Sequence, residues 1–472
     1  MFKLLLLIVS IFILDLSADI KDSIVKIYTV SKVPNYSIPW NSSLRRSHGS
    51  GTIINGNRIL TNAHVVANQT FIEVKRYGKT RRYEAEVEFI SHQVDLALLK
   101  VKNQVFFEGA DSLELGNLPQ TQQKVSVYGF PMGGNALSVS SGIVSRIEHT
   151  RYAHSQERFL SIQIDAAVNP GNSGGPAISD GKIVGVVMQQ IRKSQNIGYL
   201  VPSNIVKHFL VDINDGKYNG FGDLGIATQK MENKALRDVY KMSDKETGVM
   251  LIDISPKSSA FGILKVGDVL ISIDNHNINN DGTVEFMPEQ YTSYNYYIDQ
   301  KQLGNSVRFK VLRDGYKKDI DVSVLNIADD NLLVDTLEHD VMPRYFIFGG
   351  YVFTPLTRNL LATSRSTLLS LREASSEWAS DKREEVVVLL KVLADQSNRG
   401  DHMFSLWMID QVNSKTFKNF YEFKKLIQNT DKQYIILQNN DGVKVAIDKA
   451  KAMEVENKIL KRYSIRSSSS EL

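Results

Sequence analysis

Short apolar or alternating runs, broken by glycine, asparagine and proline, fill the chain from about residue 20 to residue 211. Alternation with a period of two is typical of strands that bury one face, and regularly spaced turn residues favour an all-β barrel or sandwich. The length of this stretch suits two small barrels packed together. The runs predict strands at residues 23–30, 51–54, 71–74, 97–101, 125–128 and 182–187.

The pattern changes near residue 212 and again near residue 328, which predicts two further α/β domains. The middle segment predicts strands at 248–254 and 267–273, helices at 231–240 and 289–300, and a hairpin over 306–324. The last segment predicts a helix around 374–384, a strand at 385–392 and a helix at 420–428, before a loose serine-rich tail. We therefore divide the chain into residues 1–18, 19–212, 213–328, 329–465 and 466–472.

Composition narrows the class of protein. The 472 residues are 42% hydrophobic and 23% charged, as in ordinary globular domains, and the net charge of +4 gives no support to nucleic-acid binding. There is no cysteine, which excludes a cysteine nucleophile, a thiolate zinc site and any disulfide. No nucleotide-binding loop is visible, and we expect neither a cofactor nor a metal.

The first residues resemble a signal peptide. Lys3 precedes an apolar run at 4–14, and small residues follow at Ser17 and Ala18. We expect cleavage after residue 18 and an exported protein, periplasmic or associated with the cell envelope, with no integral span after removal of the signal. An uncleaved N-terminal anchor is the alternative.

Glycines surround Ser173 in the run from Gly171 to Pro176. They let the backbone turn tightly and leave the hydroxyl exposed. The same turn can aim the N–H groups of Gly171 and Ser173 at one point, where an oxyanion would be stabilised. A plain glycine-rich turn between strands is the alternative for this run taken alone.

A serine nucleophile needs a base, and the base needs an orienting acid. His64 follows a strand-like run, and Asp95 precedes the buried-looking run 96–99. Each has an ordinary explanation alone, as a packing histidine and a turn-forming aspartate. Together, in the order His64, Asp95, Ser173, they fill the three roles of a serine-hydrolase triad.

Three segments resemble the Deg/HtrA serine proteases: residues 61–66 (TNAHVV), 95–101 (DLALLKV) and 165–176 (DAAVNPGNSGGP). Residues 128–131, 141–145 and 196–202 are similar to framework segments of the same family. The resemblance implies a chymotrypsin-like double β-barrel. It also implies that His64 is the general base, that Asp95 fixes its tautomer, and that Ser173 forms a covalent acyl-enzyme.

The specificity pocket of the family corresponds to Val168, Met188 and Gln190. No charged residue occurs at these positions, so we expect small or medium apolar side chains at the cleavage site. Gln190 is more polar than the family pattern.

The second segment resembles a PDZ domain. Its candidate carboxylate-binding loop consists of Phe221, Gly222, Asp223, Leu224, Gly225 and Ile226. Such a loop captures a peptide terminus while a strand pairs with the peptide backbone, although the same residues also suit a plain turn and core. The third segment resembles the degenerate second PDZ of plant-type Deg proteases, a kind of domain that supports oligomer assembly. The resemblance to the Deg proteases as a family implies a homo-oligomer, a trimer or a multiple of trimers. The exposed aromatic segment 36–40 is a candidate subunit contact.

The sequence therefore predicts an ATP-independent serine endopeptidase that degrades or processes unfolded proteins. The alternative function is a peptide-binding chaperone or scaffold with secondary or silent proteolysis. A processing protease with one substrate is a third possibility.

Overall fold

The computed structural model describes residues 20–131, 134, 136–190, 197–325, 332–334, 336–363 and 369–470, with only the backbone at 189 and 190. The expected signal peptide lies outside these residues. Among the described helices, none has both the length and the apolar character needed to cross a bilayer.

Two closed six-stranded antiparallel barrels form the N-terminal part, as the alternating pattern predicts. The first is ordered β1-β2-β3-β6-β5-β4 and the second β10-β11-β12-β9-β8-β7. The strands of the first are β1 (Ile24–Pro34), β2 (Ser42–Ile54), β3 (Arg58–Thr61), β4 (Gln69–Arg76), β5 (Tyr83–Ser91) and β6 (Leu96–Lys100). The strands of the second are β7 (Lys124–Gly129), β8 (Ser138–Arg151), β9 (Arg158–Ile164), β10 (Pro176–Ser179), β11 (Lys182–Gln190) and β12 (Gly198–Pro202). Helices α1 (Ala63–Val66) and α2 (Ser203–Asp212) complete this part.

The middle segment forms a six-stranded sheet and a separate hairpin. Its strands are β13 (Ile226–Lys230), β14 (Val249–Ile254), β15 (Val269–Ile273), β16 (His276–Asn277), β17 (Thr283–Met287), β18 (Gln290–Ser293), β19 (Ser306–Arg313) and β20 (Tyr316–Ser323), and its helices α3 (Lys234–Val239) and α4 (Asn295–Asp299). The predicted hairpin is confirmed: Asp314 and Gly315 have φ of 55° and 85°, as in the two-residue turns that match strand twist. The predicted helix 289–300 is partly wrong, because residues 290–293 pair with β17 as strand β18.

The last segment contains a four-stranded and a three-stranded sheet. Its strands are β21 (Phe346–Phe348), β22 (Tyr351–Pro355), β23 (Val387–Val392), β24 (Trp407–Ile409), β25 (Gln411–Val412), β26 (Tyr434–Gln438) and β27 (Lys444–Asp448), and its helices α5 (Arg358–Thr363), α6 (Leu369–Ala374), α7 (Phe420–Gln428) and α8 (Lys449–Arg462). The helix predicted at 374–384 is wrong, since α6 ends at Ala374. There the Ser375 hydroxyl donates to the Arg372 carbonyl, a side-chain bond that competes with helix continuation.

The expectation of a loose tail is also wrong for residues 466–470. The Ile347 N–H donates to the Ser468 carbonyl at 2.6 Å, and the Ser470 N–H donates to the Tyr345 carbonyl at 3.1 Å. These bonds add the tail to the edge of β21, because an edge strand offers unpaired backbone groups to any neighbouring segment.

Both C-terminal segments pack against the barrels. Phe286 and Tyr296 of the middle segment are partly buried and pack against the apolar core of the second barrel. Trp40 makes an edge-to-face contact with Tyr345 of the last segment, with ring centroids 5.9 Å apart. The segment 36–40, our candidate subunit contact, therefore packs through Trp40 against the last segment of its own chain.

Candidate active site

His64 lies in the one-turn helix α1, directly after β3. Val65 and Val66 are buried and fix this turn against the first barrel, whereas the His64 side chain remains 33% exposed. The local pattern of apolar neighbours around one polar residue thus holds the imidazole at the barrel surface.

Asp95 is the partner of His64. Its Oδ2 lies 2.7 Å from His64 Nδ1, and its Oδ1 accepts the His64 backbone N–H at 2.9 Å. Asp95 is 1% exposed and adopts a left-handed backbone (φ 54°) that aspartate tolerates better than most residues. The Asn62 side chain donates to the Asp95 carbonyl at 2.8 Å and secures this turn.

The pair shifts both pKa values. Burial opposes the charged imidazolium, but attraction to Asp95 and the shared hydrogen bond outweigh it and raise the pKa of His64 above 6.5. Burial likewise opposes the charged carboxylate, yet the charge and hydrogen bonds of His64 hold the pKa of Asp95 below its ordinary value. Nδ1 therefore keeps its proton toward Asp95, which leaves Nε2 as the basic atom.

The glycine-rich turn brings Ser173 to the same place. Gly174 has φ of +83°, and a Cβ there would lie 2.2 Å from both the Ser50 carbonyl and Thr61 Oγ1. The same Cβ would lie 3.2 Å from the backbone nitrogen of Asn62. Only glycine fits this approach, which seats the turn against the residues that precede His64.

The Ser173 hydroxyl donates to the Met188 carbonyl at 3.3 Å. No hydrogen bond joins it to His64 in this conformation. Rotation about a single side-chain bond is enough to redirect a hydroxyl, and such rotations are fast.

Two backbone donors accompany the hydroxyl. Gly171 adopts φ of +102°, and within the described part of the chain neither its N–H nor that of Ser173 has a hydrogen-bond acceptor. Free N–H groups beside a hydroxyl are suited to a developing oxyanion.

Sequence reasoning missed Ser50, a fully buried residue of β2. Its hydroxyl donates to the Gly171 carbonyl at 2.7 Å and accepts the Phe130 N–H at 2.8 Å. Its own N–H donates to the Ser173 carbonyl at 2.9 Å. Ser50 therefore fixes the serine turn from the other barrel. The signal in the sequence is weak: a serine between Gly49 and Gly51.

Replacing Ser50 by alanine should lower kcat by about tenfold with little change in KM, because the turn loses its anchor and two buried groups lose a partner at about 1–3 kcal/mol. Steady-state kinetics on a peptide substrate, with thermal unfolding alongside, measures both effects. The matched control is Ser179→Ala, which removes another buried serine hydroxyl that donates to a carbonyl, that of Lys124. Equal loss of kcat in both variants would contradict a positioning role for Ser50.

Two of the predicted pocket residues are core residues in this conformation. Val168 is 4% and Met188 2% exposed, and Val168 packs closely against Gly198. The side chain of Gln190 lies outside the described residues. Val168 and Met188 are thus apolar and buried, as expected. That they line a specificity pocket stays a prediction.

The candidate PDZ loop is bonded internally. Asp223 Oδ1 accepts the N–H groups of Leu224 at 2.5 Å and of Gly225 at 2.8 Å. Phe221 is buried in the barrel core, and a Cβ on Gly222 would lie 2.3 Å from Val324. A peptide carboxylate at this loop would have to displace the Asp223 side chain.

Comparison with known proteins identifies the family. A trypsin-like peptidase domain model matches residues 49–186, and a PDZ domain model matches residues 334–472. The putative mitochondrial protease Do-like 3 of Arabidopsis thaliana is 37% identical over 452 residues, which cover 95% of this chain and 80% of that protein. The chloroplastic protease Do-like 2 of the same plant is 36% identical over 458 residues, 95% of this chain and 75% of that protein.

Among solved structures, the HtrA-type protease AlgW with tripeptide has a TM-score of 0.50 and 24% identity, covering 65% of this chain and 94% of its own. That similarity supports the fold. The predicted fold class, a double barrel followed by PDZ-like domains, is confirmed. The chain belongs to the Deg/HtrA family and is a serine endopeptidase with the domain layout of the plant Do-like proteases.

Proposed function

We propose that Ser173, His64 and Asp95 form the catalytic triad of an ATP-independent endopeptidase acting on unfolded proteins. The observation that carries this proposal is the bidentate contact of the buried Asp95 carboxylate with His64, through Nδ1 and the backbone N–H. A carboxylate held in this way fixes the tautomer in which Nε2 accepts a proton. The glycine-rich turn, which is seated against the residues that precede His64, supplies a hydroxyl and two N–H groups that have no acceptor among the described residues.

The chemistry follows from these positions. The Ser173 hydroxyl turns from the Met188 carbonyl to His64 Nε2, gives up its proton and attacks the peptide carbonyl. The resulting oxyanion binds the N–H groups of Gly171 and Ser173, and Asp95 stabilises the imidazolium. His64 then protonates the leaving amine, and water hydrolyses the acyl-enzyme by the same route. Every group required belongs to the chain, so no ATP or organic cofactor takes part.

The substrates we propose are extended segments of misfolded or unfolded proteins. A chain segment must be extended to enter a protease cleft, and the apolar Val168 and Met188 favour apolar side chains at the cleavage site. The middle segment, residues 213–328, acts as a PDZ domain that binds a peptide or regulates the barrels. Its contact with the second barrel through Phe286 and Tyr296 supports coupling between the two.

We also propose that the protein is exported and acts in the cell envelope, as the signal-peptide-like leader suggests. We further propose that it works as a homo-oligomer, either a trimer or a multiple of trimers. The names of the plant relatives include mitochondrial and chloroplastic proteins. Fractionation of cells that express the chain with and without residues 1–18, followed by light scattering of the purified protein, tests both parts.

The direct test of the function is a comparison of two forms of one substrate protein, folded and permanently unfolded, in buffer without ATP. We expect cleavage of the unfolded form only, and labelling of Ser173 by a serine-directed phosphonate that blocks cleavage. Cleavage that continues after stoichiometric labelling of Ser173 would contradict the proposal.

The activity should depend on pH through His64. The base must be neutral to accept a proton, and its pKa lies above the ordinary 6.5 because the Asp95 contact outweighs burial. We therefore expect kcat/KM to rise tenfold per pH unit on the acid side and to level off above a midpoint higher than 6.5. The pH profile of kcat/KM should be measured with an uncharged peptide and in the presence of a chelator, so that it reports the titration of His64. A midpoint below 6.5 would show that burial, and not Asp95, controls the imidazole.

A further inference from the structure

Three histidines from distant parts of the sequence meet beside the His64–Asp95 pair. His92 follows β5, His154 lies between β8 and β9, and His339 lies in the segment before β21. Each offers a ring nitrogen, and these three atoms lie within 4.8 Å of one another. We call these residues the histidine cluster. It brings both barrels and the last segment to one point.

The rings are closely packed and partly buried. The His339 ring stacks on His92 and lies against His154, with centroids 4.2 Å apart in both cases. Burial, followed by the charges of neighbouring histidines, lowers the pKa of His339 to about 3. Burial is also the main cause that lowers the pKa of His154 to about 4. Both imidazoles are therefore neutral at physiological pH, the form that binds a metal.

Asp340 gives the cluster an orienting carboxylate. Its Oδ2 lies 2.8 Å from His92 Nε2, so that the other nitrogen of this ring, Nδ1, faces His154 Nε2 at 2.8 Å. Histidines that bind metals commonly donate their second N–H to a carboxylate, which fixes the ring and increases its basicity. Asp340 is itself held by the backbone N–H of Asn68.

We propose that the histidine cluster binds one Zn²⁺ ion and that its occupancy inhibits proteolysis. Three imidazoles with a fourth position open are a common zinc ligand set, with Zn–N distances of about 2.0–2.1 Å. Tetrahedral geometry then places the nitrogens about 3.3 Å apart, and in this structure they already lie within 4.8 Å of one another. Hard cations such as Mg²⁺ and Ca²⁺ prefer oxygen ligands and are not expected to bind.

The inhibitory part rests on the proposed function. The His154 ring centroid is 6.1 Å from that of His64, so a doubly charged ion on His154 opposes the imidazolium that forms during catalysis. The ion also ties His339, and with it the segment before β21, to the barrels next to His64. A cavity of about 530 Å³ lined by His92 and His339 gives solvent access to the cluster.

The test of binding uses the full chain carrying Ser173→Ala, so that its result does not depend on proteolysis. Titration with Zn²⁺ against a chromophoric chelator should give one ion per chain, and His92→Gln, His154→Gln and His339→Gln should each weaken binding by at least about tenfold. Asp340→Asn should weaken it by about ten- to a hundredfold. The matched control is His276→Gln, an exposed histidine of β16 that should leave the affinity unchanged.

Two further measurements complete the test. Hydrogen exchange in residues 336–342 should slow on addition of Zn²⁺ but not of Mg²⁺, and Zn²⁺ should inhibit the wild-type chain at the concentrations at which it binds. Circular dichroism in chelator confirms that each variant folds. Unchanged Zn²⁺ affinity in folded His339→Gln and His154→Gln overturns the site, and full activity of the zinc-loaded chain overturns the inhibition. A chain that binds Zn²⁺ but fails to cleave unfolded protein in chelator instead contradicts the proposed function.

Discussion

Replacing Ser173 by alanine should reduce kcat on an unfolded protein by about 10⁶-fold, because the acyl-enzyme can no longer form. The fold should survive, since the half-buried hydroxyl makes one hydrogen bond within the described residues, at 3.3 Å to the Met188 carbonyl. We expect the free energy of unfolding to change by no more than about 1 kcal/mol. Cleavage assays and denaturant unfolding of the same preparation separate the two effects.

The matched control for this variant is Ser141→Ala, an exposed serine at the start of β8, which should keep full activity. Turnover by Ser173→Ala within tenfold of wild type would exclude Ser173 as the nucleophile. The same variant also distinguishes the alternative function. If it still suppresses aggregation of the unfolded substrate in proportion to its concentration, the chain has a chaperone role that does not depend on cleavage.

Replacing Asp95 by asparagine should lower kcat by about 10⁴-fold while nearly preserving the shape of the site. The amide oxygen can still accept the His64 backbone N–H, which places the amide NH₂ against Nδ1. The imidazole must then accept at Nδ1 and carry its proton on Nε2, the atom that should receive the serine proton. Burial is also left unopposed, so the pKa of His64 should fall below that of the wild type.

Kinetics and NMR titration of the His64 ring check these two consequences separately. Asp268→Asn is the matched control: Asp268 is also 1% exposed, but it pairs with Arg313 in the middle segment. We expect this control to lower stability and to leave the His64 pKa unchanged. Comparable kcat in Asp95→Asn and wild type would remove Asp95 from the triad.

Much of the fold could be predicted from the sequence because the features that define it are local. Each of the six predicted barrel strands overlaps an observed strand, since alternation of buried and exposed residues has a period of two wherever one face is covered. The hairpin at Asp314 and Gly315 and helix α7 follow from local turn and helix patterns in the same way. The helix predicted at 374–384 failed because the side chain of Ser375 binds back to the backbone, a competition that apolar periodicity does not record.

The sequence alone thus determined the barrels and the family resemblance. It also identified His64, Asp95 and Ser173 as candidates, because a short local motif surrounds each of these three residues. Only the tertiary structure decided how Ser50 anchors a turn 121 residues away and how three histidines converge. The physical reason is that contacts between distant segments depend on how the strands close and how the domains pack, and no short-range pattern specifies that packing.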